Sequence, residues 1–425
     1  MKLLCGPASA VFSADGSDTL RVILYGQPGD DANASAGEAA SEEIRRAKLD
    51  APARAWDLLS LALSVVTADL AGLREQSPDG WTRTFELEVA VIEPDFWNSQ
   101  RTIIERALSF LTTDIWSIHF HGGGQAPPVQ REAVRPDEDS VVLLSGGLDS
   151  FVGALDLFAA GKKLLAVSQV VRGDASKQET FAAAIGTGMR HLQLNHNAAP
   201  PGKEESSQRA RSLIFLAFGT LAATTLGRYH NGEFVPLYVC ENGFIAINPP
   251  LTGGRLGSLS TRTAHPEFLA RYQDILTAAG LCVRVQNPYC LATKGEMLLN
   301  CYNQGLLRTH AASSTSCGRF QRFNYKHCGR CVPCQVRRGA FMAWGVNDST
   351  EYVYRQLGKS DSDHAAFDDV RAVAMAIASV QSEGLNNWLG PALSCPGIDN
   401  REQLKSLIVR GLQELAHLHQ ACGVK

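Results

Sequence analysis

The stretch VVLLSGGLDSFVGALDLFAAG, residues 141–161, decides the fold of the surrounding chain. A continuous apolar run ends at Ser145-Gly146-Gly147-Leu148-Asp149-Ser150 and resumes at once as an apolar, helix-compatible segment. Such runs are typical of strands buried on both faces of a parallel sheet. The stretch therefore predicts a strand, a tight turn and a helix, with the turn at the strand's carboxyl end, where such sheets bind ligands.

The strand–helix alternation continues beyond this turn and predicts an α/β fold with a doubly wound parallel sheet. The predicted strands are VVLLS, LLAVSQV, HLQLNH, VPLYVCENGFIAIN (235–248) and VRVQNPY, and the predicted helices cover 151–160, 178–190, 208–227 and 266–279.

The 425 residues are too many for one ordinary core, so we expect several domains. Strand-like segments at 20–26, 82–92 and 115–122 and helical segments at 41–73 and 97–111 predict an N-terminal α/β lobe. The predicted divisions are the lobe at 1–125, a Gly- and Pro-rich linker at 126–140, the doubly wound domain at 141–345, and a C-terminal helical region at 346–425 with helices at 361–383 and 400–422.

The turn has the composition of a phosphate cradle. Glycines let the backbone approach an anion closely, the two serines add hydroxyl donors, and the N-terminus of the following helix presents unpaired N–H groups. The lysine of a P-loop and the G-x-G-x-x-G of a dinucleotide fold are both absent. We expect the cradle to consist of Leu144, Ser145, Gly146, Gly147, Leu148, Asp149 and Ser150.

Four of the eleven cysteines follow a metal-binding spacing, Cys317-x10-Cys328-x2-Cys331-x2-Cys334. Four thiolates close a tetrahedral shell around zinc, although an iron–sulfur cluster uses the same ligand type. We predict a zinc knuckle, with His327 as a spare neighbour.

The net charge of −3 gives no general attraction to a polyanion. Between Glu296 and Asp348 there is no acidic residue, and the basic side chains there form either a solvated positive face or an anion-binding surface. No apolar run is long enough for a membrane span, and the N-terminus is poor material for a secretory signal, so we expect a cytoplasmic protein.

SGG-x-DS after a strand resembles the PP-loop of the N-type ATP pyrophosphatases, which have an adenine nucleotide alpha-hydrolase-like (HUP) fold. Followed by the four cysteines, over residues 140–345, it resembles the 7-cyano-7-deazaguanine synthase family, QueC. The resemblance implies ATP, Mg2+ and Zn2+ as cofactors and a ligase-type reaction. The carboxylate of 7-carboxy-7-deazaguanine is adenylated, ammonia displaces AMP to give an amide, and a second ATP drives dehydration to the nitrile.

The resemblance also implies roles for individual residues. Asp149 caps the turn or lies near the magnesium, Arg211 contacts phosphate or adenylate, and Lys294, in Thr293-Lys294-Gly295-Glu296, neutralises the α-phosphate. Glu241 or Asn242 would bind the edge of the deazaguanine and Arg262 its carboxylate, with turn roles as the alternative. The loop from Cys240 to Arg255 and the segment Ser260–Phe268 depart from the family pattern.

The added lobe and helical tail resemble the QueC-like proteins of bacterial antiphage defence, above all the QatC proteins of the Qat system. That resemblance implies transfer of the activated deazaguanine to an amine, with the N-terminus of a partner protein in place of ammonia. The alternatives are biosynthetic synthesis of the nitrile for queuosine, a tRNA-modifying thiolase, and a zinc-containing scaffold that binds nucleic acid and has a decayed ATP site.

Overall fold

The computed structural model describes residues 1–12, 19–206, 208–251, 262–358, 369–389, 393 and 400–424. In this part of the chain the strands form two five-stranded sheets. Numbered within each sheet in chain order, the strands of both have the order 3-2-1-4-5, and every neighbouring pair is parallel. The chain thus contains two parallel-sheet α/β domains. Arg255 and Ser260, in the two departing loops, lie outside the described residues.

The first sheet belongs to the N-terminal lobe and has the order β3-β2-β1-β4-β5. The helix predicted over 41–73 is divided in two, because Lys48 has a positive φ of 53° and Pro52 is extended. The elements are β1 (Lys2–Gly6), β2 (Thr19–Leu24), β3 (Ala34–Ala36), α1 (Glu38–Arg46), α2 (Ala53–Ala71), β4 (Thr84–Ala90), α3 (Pro94–Thr112) and β5 (Ile115–His121).

The second sheet contains the opening motif on its central strand. The elements are β6 (Ser140–Leu143), α4 (Leu148–Ala159), β7 (Leu164–Gln169), α5 (Ala175–Ala184), β8 (Arg190–Leu194), α6 (Arg211–Thr224), α7 (Gly227–His230), β9 (Val235–Tyr238), α8 (Gly243–Ala246), α9 (Pro266–Ala278) and β10 (Val283–Gln286). Their order is β10-β9-β6-β7-β8, so the strand order reverses between β6 and β9. Ligands of such sheets bind in the crevice at this reversal.

The strand predicted over 235–248 is wrong beyond Tyr238, where β9 ends. The side chain of Asn242 accepts a hydrogen bond from the Ile245 amide and begins the short helix α8. Phe244 and Ile247 on that helix are buried against the C-terminal helices. An apolar run therefore continues here because the segment is buried, although it is not a strand.

Helix α2 joins the two domains into one core. Every residue from Ala55 to Leu70 is buried, because the helix packs against the first sheet and against α6 of the second domain. One cluster of buried side chains runs continuously from β1 through α2 and α6 to β9. The lobe therefore shares a continuous core with the doubly wound domain.

The remaining helices follow the second sheet. They are α10 (Lys294–Asn300), α11 (Gln304–His310), α12 (Val332–Trp344), α13 (Asp369–Glu383), α14 (Leu385–Leu389) and α15 (Arg401–Ala421). Helix α15 packs against α8 and α12. Of the helix predicted at 361–383, residues 361–368 lie outside the described part. No helix in the described ranges combines the length and apolar character needed to cross a bilayer.

Candidate active site

The turn between β6 and α4 leads into a helix that has no side-chain cap. Gly147 precedes α4 without a side-chain cap, so the first N–H groups of the helix are not satisfied by a capping oxygen. Gly146 has a φ of +82°, a conformation that favours glycine. The hydroxyls of Ser145 and Ser150 lie 3.0 Å apart, and the Gly147 amide donates to the Ser145 hydroxyl at 3.2 Å. Of the predicted cradle residues, Ser145 and Ser150 line the adjoining cavity, and phosphate binding by the turn remains a prediction.

Neighbouring elements fix the shape of the turn. The Thr315 amide donates to the Gly146 carbonyl at 3.0 Å, and the Ser168 hydroxyl donates to the Leu144 carbonyl at 2.5 Å. The side chains of Leu144 and Leu148 are buried in the core, so these two residues can offer only backbone atoms to a ligand.

A cavity of about 610 Å³ opens beside the turn. This volume is in the range of small-molecule sites. The cavity lining is mixed and includes both apolar residues, such as Phe215 and Val239, and basic residues. The basic residues in its lining are Arg172, Arg211, Arg319 and Arg322, and the acidic ones are Asp174 and Glu241. The arrangement suits an anion attached to a flat, apolar ring.

Arg211 lies where the sequence predicts a phosphate contact, at the first position of α6 and in the cavity wall. Its burial lowers its pKa, with Asp174 acting in the opposite direction. The neighbouring Ser212 also lines the cavity, and its buried hydroxyl has no hydrogen-bond partner within the described residues. Both side chains are available to an anionic ligand.

Asp149 and Lys294, both predicted to be catalytic, form a buried ion pair. Neither residue lines the cavity. Burial alone would raise the pKa of Asp149, but attraction to Lys294 and hydrogen bonds hold it below its ordinary value. Lys294 is the first residue of α10. Thr293 before it and Glu296 after it form a capping box.

Glu241 follows β9, directly across the strand reversal from the turn, and lines the cavity. Burial, followed by repulsion from Asp149, raises the pKa of Glu241 well above its ordinary value. A neutral carboxyl group at this position can both donate and accept hydrogen bonds. Binding of the substrate edge by Glu241 remains a prediction, and the residue lies in the cavity lining.

The structure does not support substrate contacts for Asn242 and Arg262. The Asn242 side chain is fully buried and bonds to Asp149, Glu241 and the Ile245 amide. Arg262 donates to the Phe110 carbonyl at 2.9 Å and lies over the Phe110 ring, so it contacts the N-terminal lobe. These orientations depend on tertiary neighbours that the sequence pattern does not reveal.

The four predicted metal ligands meet in a buried cluster. The sulfur atoms of Cys317, Cys328, Cys331 and Cys334 all lie within 4.8 Å of one another, with two pairs at 3.9 Å. Tetrahedral zinc with bonds of about 2.3 Å requires sulfur atoms about 3.8 Å apart, so the cluster fits this ion. His327 accepts a hydrogen bond from the Ser316 amide through Nε2 and stays outside the cluster.

The knuckle also forms a wall of the cavity. Residues 317–322 line it, and Thr315, just before them, is bonded to the turn. Gly329 has a φ of +88°, and a Cβ atom there would lie 2.2 Å from the Tyr354 carbonyl oxygen, so the knuckle requires glycine at this position. The segment that begins at the cluster residue Cys317 is therefore part of the cavity wall.

Most of the acid-free basic stretch serves internal contacts. Arg337 is fully buried and bonds to Ser314, Ser316, Thr350 and the Ala311 carbonyl. Arg330 and Arg338 donate to backbone carbonyls, and Lys326 pairs with Glu351. Arg330, Arg337 and Arg338 therefore brace the fold internally, whereas Arg319 and Arg322 of the same stretch line the cavity.

Sequence reasoning missed a polar group beside the turn, namely Asp174, Lys177 and Thr315. Lys177 donates to the Thr315 hydroxyl at 2.6 Å, and that hydroxyl donates to Asp174 at 2.6 Å. Lys177 also lies over the Phe320 ring of the knuckle. The position of Asp174 after β7 was the available signal, because strands beside the reversal point end at the same edge.

Comparison with known proteins agrees with this geometry. No protein-family model matches the chain. A 7-cyano-7-deazaguanine synthase of Agrobacterium fabrum is 29% identical over 239 residues, which are 50% of this chain and 91% of that protein. The synthase of Alteromonas mediterranea is 27% identical over 51% of this chain and 99% of its own length. The synthase of Rhizobium etli is 26% identical over 55% of this chain and 99% of its own length.

The chain is similar to 7-cyano-7-deazaguanine synthases. The similarity spans nearly the whole length of these synthases but only about half of this chain. Together with two parallel-sheet domains and a cysteine cluster suited to zinc, it indicates an ATP-using, ligase-like enzyme.

Proposed function

We propose that the chain is an AMP-forming enzyme that activates the carboxylate of a 7-carboxy-7-deazaguanine-type substrate and transfers the acyl group to an amine. In the first step a carboxylate oxygen attacks the α-phosphorus of ATP, and pyrophosphate leaves. In the second step the amine attacks the carbonyl carbon, and AMP and a proton leave. The observation that carries the proposal is the uncapped turn at the strand reversal, beside a cavity whose lining contains both arginines and apolar residues.

Each part of the site has a role in this reaction. The Gly146 amide and the Ser145 and Ser150 hydroxyls hold the leaving phosphates, and Arg211 stabilises charge that develops at the α-phosphate. Mg2+ bound to the nucleotide would neutralise further phosphate charge, and Asp174 is the carboxylate beside the turn that could meet it. Lys294 acts indirectly, because its ion pair with Asp149 fixes the first turn of α4. Zn2+ would keep the knuckle wall in place.

We further propose that the amine belongs to a partner protein of an antiviral defence system, as in the Qat-like interpretation of the sequence. About half of the chain lies outside the similarity to the synthases, and ammonia is too small to need that additional surface. A modified partner would carry a discrete added mass at its N-terminus. Intact mass spectrometry of co-purified partners tests this step.

The second candidate function is biosynthetic nitrile synthesis with ammonia, which the names of the relatives favour. The two functions differ in the acceptor. If ammonia alone supports turnover to the nitrile, the enzyme is biosynthetic. The interpretation as a nucleic-acid scaffold has less support, because the basic stretch is largely occupied by internal contacts.

The direct test supplies ATP, Mg2+ and 7-carboxy-7-deazaguanine to the purified protein and separates the nucleotides by chromatography. We expect pyrophosphate and the acyl adenylate, formed only in the presence of the carboxylate, and release of AMP once an amine is added. Formation of ADP and phosphate, or no nucleotide cleavage, would contradict the proposal. Arg211→Met should lower the rate about 10²-fold, the usual effect of losing one preorganised donor.

A further inference from the structure

The segment that leads into α6 is bound along its length to the N-terminal lobe. Lys203 pairs with Glu75 at 2.8 Å. The Glu205 amide donates to the Leu70 carbonyl at 2.8 Å, and the Glu205 carboxylate accepts a hydrogen bond from the Arg74 amide at 2.9 Å. The lobe therefore holds this segment by both backbone and side-chain bonds.

Asp69 on α2 makes the contact nearest to the cavity. Its side chain is fully buried, and one carboxylate oxygen accepts a hydrogen bond from the Ala210 amide at 2.8 Å. The other oxygen pairs with Arg83 at 2.5 Å, and Arg83 also pairs with Asp114 at 2.6 Å. Asp69 is thus fixed by a buried ionic network on one side and bound to the start of α6 on the other.

Helix α6 needs this contact because its own sequence provides no cap. Ala210 stands at the N-cap position and has no side-chain acceptor. A carboxylate near a helix N-terminus is stabilised by the helix dipole, and here it comes from another domain. The next two residues, Arg211 and Ser212, face the cavity. The position of the Ala210 amide therefore sets where these two side chains lie.

We propose that Asp69 of the N-terminal lobe is a positioning residue for the active site, acting through Ala210 on Arg211 and Ser212. The inference rests on the proposed function, since it assigns the two side chains to the anionic part of the nucleotide or its adenylate. The lobe then completes the site in addition to any role in partner binding. A displacement of about 1 Å in such a group can lower turnover about 10²-fold.

A matched control lies on the same helix. Asp57 is also a fully buried carboxylate of α2, and it accepts bonds from the Ile92 and Glu93 amides and the Trp97 indole. All three partners belong to the N-terminal lobe. Asp69→Asn places an NH2 group against either the Ala210 amide or Arg83, whereas Asp57→Asn places one against a donor of the lobe, so only the first changes the contact with α6.

The experiment measures melting temperature, kcat and KM for ATP for both variants. We expect both to lower the melting temperature, and only Asp69→Asn to reduce kcat at least 10-fold per folded molecule. Equal kcat for the two variants would overturn the inference. If Asp69→Asn fails to fold, the half-buried Glu205 replaces it. Glu205→Ala should then lower kcat, and Glu205→Gln, which keeps an acceptor for the Arg74 amide, should restore it.

Binding of ATP, measured by calorimetry, separates failure of the inference from failure of the proposed function. Should the wild-type protein bind ATP but form no AMP, the proposed function is wrong. The inference then still predicts weaker ATP binding by Asp69→Asn than by Asp57→Asn. Equal affinity of the two variants would refute it.

Discussion

Gly146 holds the turn in a left-handed conformation, with a φ of +82°, and an added Cβ atom would lie 3.2 Å from the Cβ atom of Asp174. Gly146→Ala introduces about 1–2 kcal/mol of backbone strain and moves the amides that hold the phosphates. We expect AMP formation to fall about 10²-fold. Gly161→Ala is the control, because Gly161 has a φ of +79°, no atoms within 4 Å, and lies at the opposite end of α4. Equal activity of the two variants would contradict the role of the turn.

The ion pair of Asp149 and Lys294 is almost completely buried, so removing one partner leaves an uncompensated charge. Asp149→Asn or Lys294→Met should each lower the free energy of unfolding by about 3–5 kcal/mol. The double variant should lose less than the sum, which urea denaturation would measure. Glu402→Gln, which breaks the exposed pair with Lys405, should cost at most about 1 kcal/mol. Additive losses would show that the two buried groups do not interact.

At the residue level, the sequence predicted which residues come together where a local spacing pattern brings them together. It did not predict the direction in which individual side chains point. The turn and the four cysteines are local patterns, and the structure places each pattern in one site. Asn242 and Arg262 are adjacent in sequence to cavity residues, but their side chains turn away to Asp149 and Phe110. No local pattern encodes that choice.

The zinc knuckle is the element whose removal should affect the cavity most directly. Cys331→Ser removes one ligand, so we expect loss of bound zinc, a lower melting temperature, and slower AMP formation because residues 317–322 line the cavity. Metal content can be measured by atomic emission. Cys290→Ser should change none of these quantities, since Cys290 is exposed and outside the cluster. A zinc-free Cys331→Ser variant with full activity would show that the wall does not depend on the metal.

The boundaries of helices and strands were predictable where the buried apolar run coincides with the helix or strand. The apolar strands β6 and β7 and the helix α9 lie close to their predicted positions, because each is flanked by a turn residue. The run from Val239 to Asn248 was predicted as strand, although it is a loop and a short helix buried under α15. An apolar composition indicates that a segment is buried. Only the periodicity of a longer segment distinguishes a strand from a helix.

At the scale of the whole molecule, α2 determines how the two domains fit together. Its apolar residues surround the helix, which is typical of a helix buried on all sides. The sequence predicted the helix and the lobe, but it could not predict that the same helix packs on α6 and supplies Asp69 to the Ala210 amide. Contacts between distant segments are set by tertiary packing, and single-sequence patterns carry little information about them.

Buried histidines should make the whole protein sensitive to acid. Burial lowers the pKa of His191, His265 and His419 from 6.5 to about 4. Because the unfolded chain binds these protons first, their contribution to stability is complete above pH 6.5 and is lost as the pH falls from 6.5 to 4, by at most about 1.4 kcal/mol per histidine per pH unit. We expect the melting temperature to fall across this window. His419→Gln should flatten the fall, whereas His417→Gln, at an exposed position of the same helix, should leave it unchanged. An identical pH profile for both variants would exclude His419 as a cause.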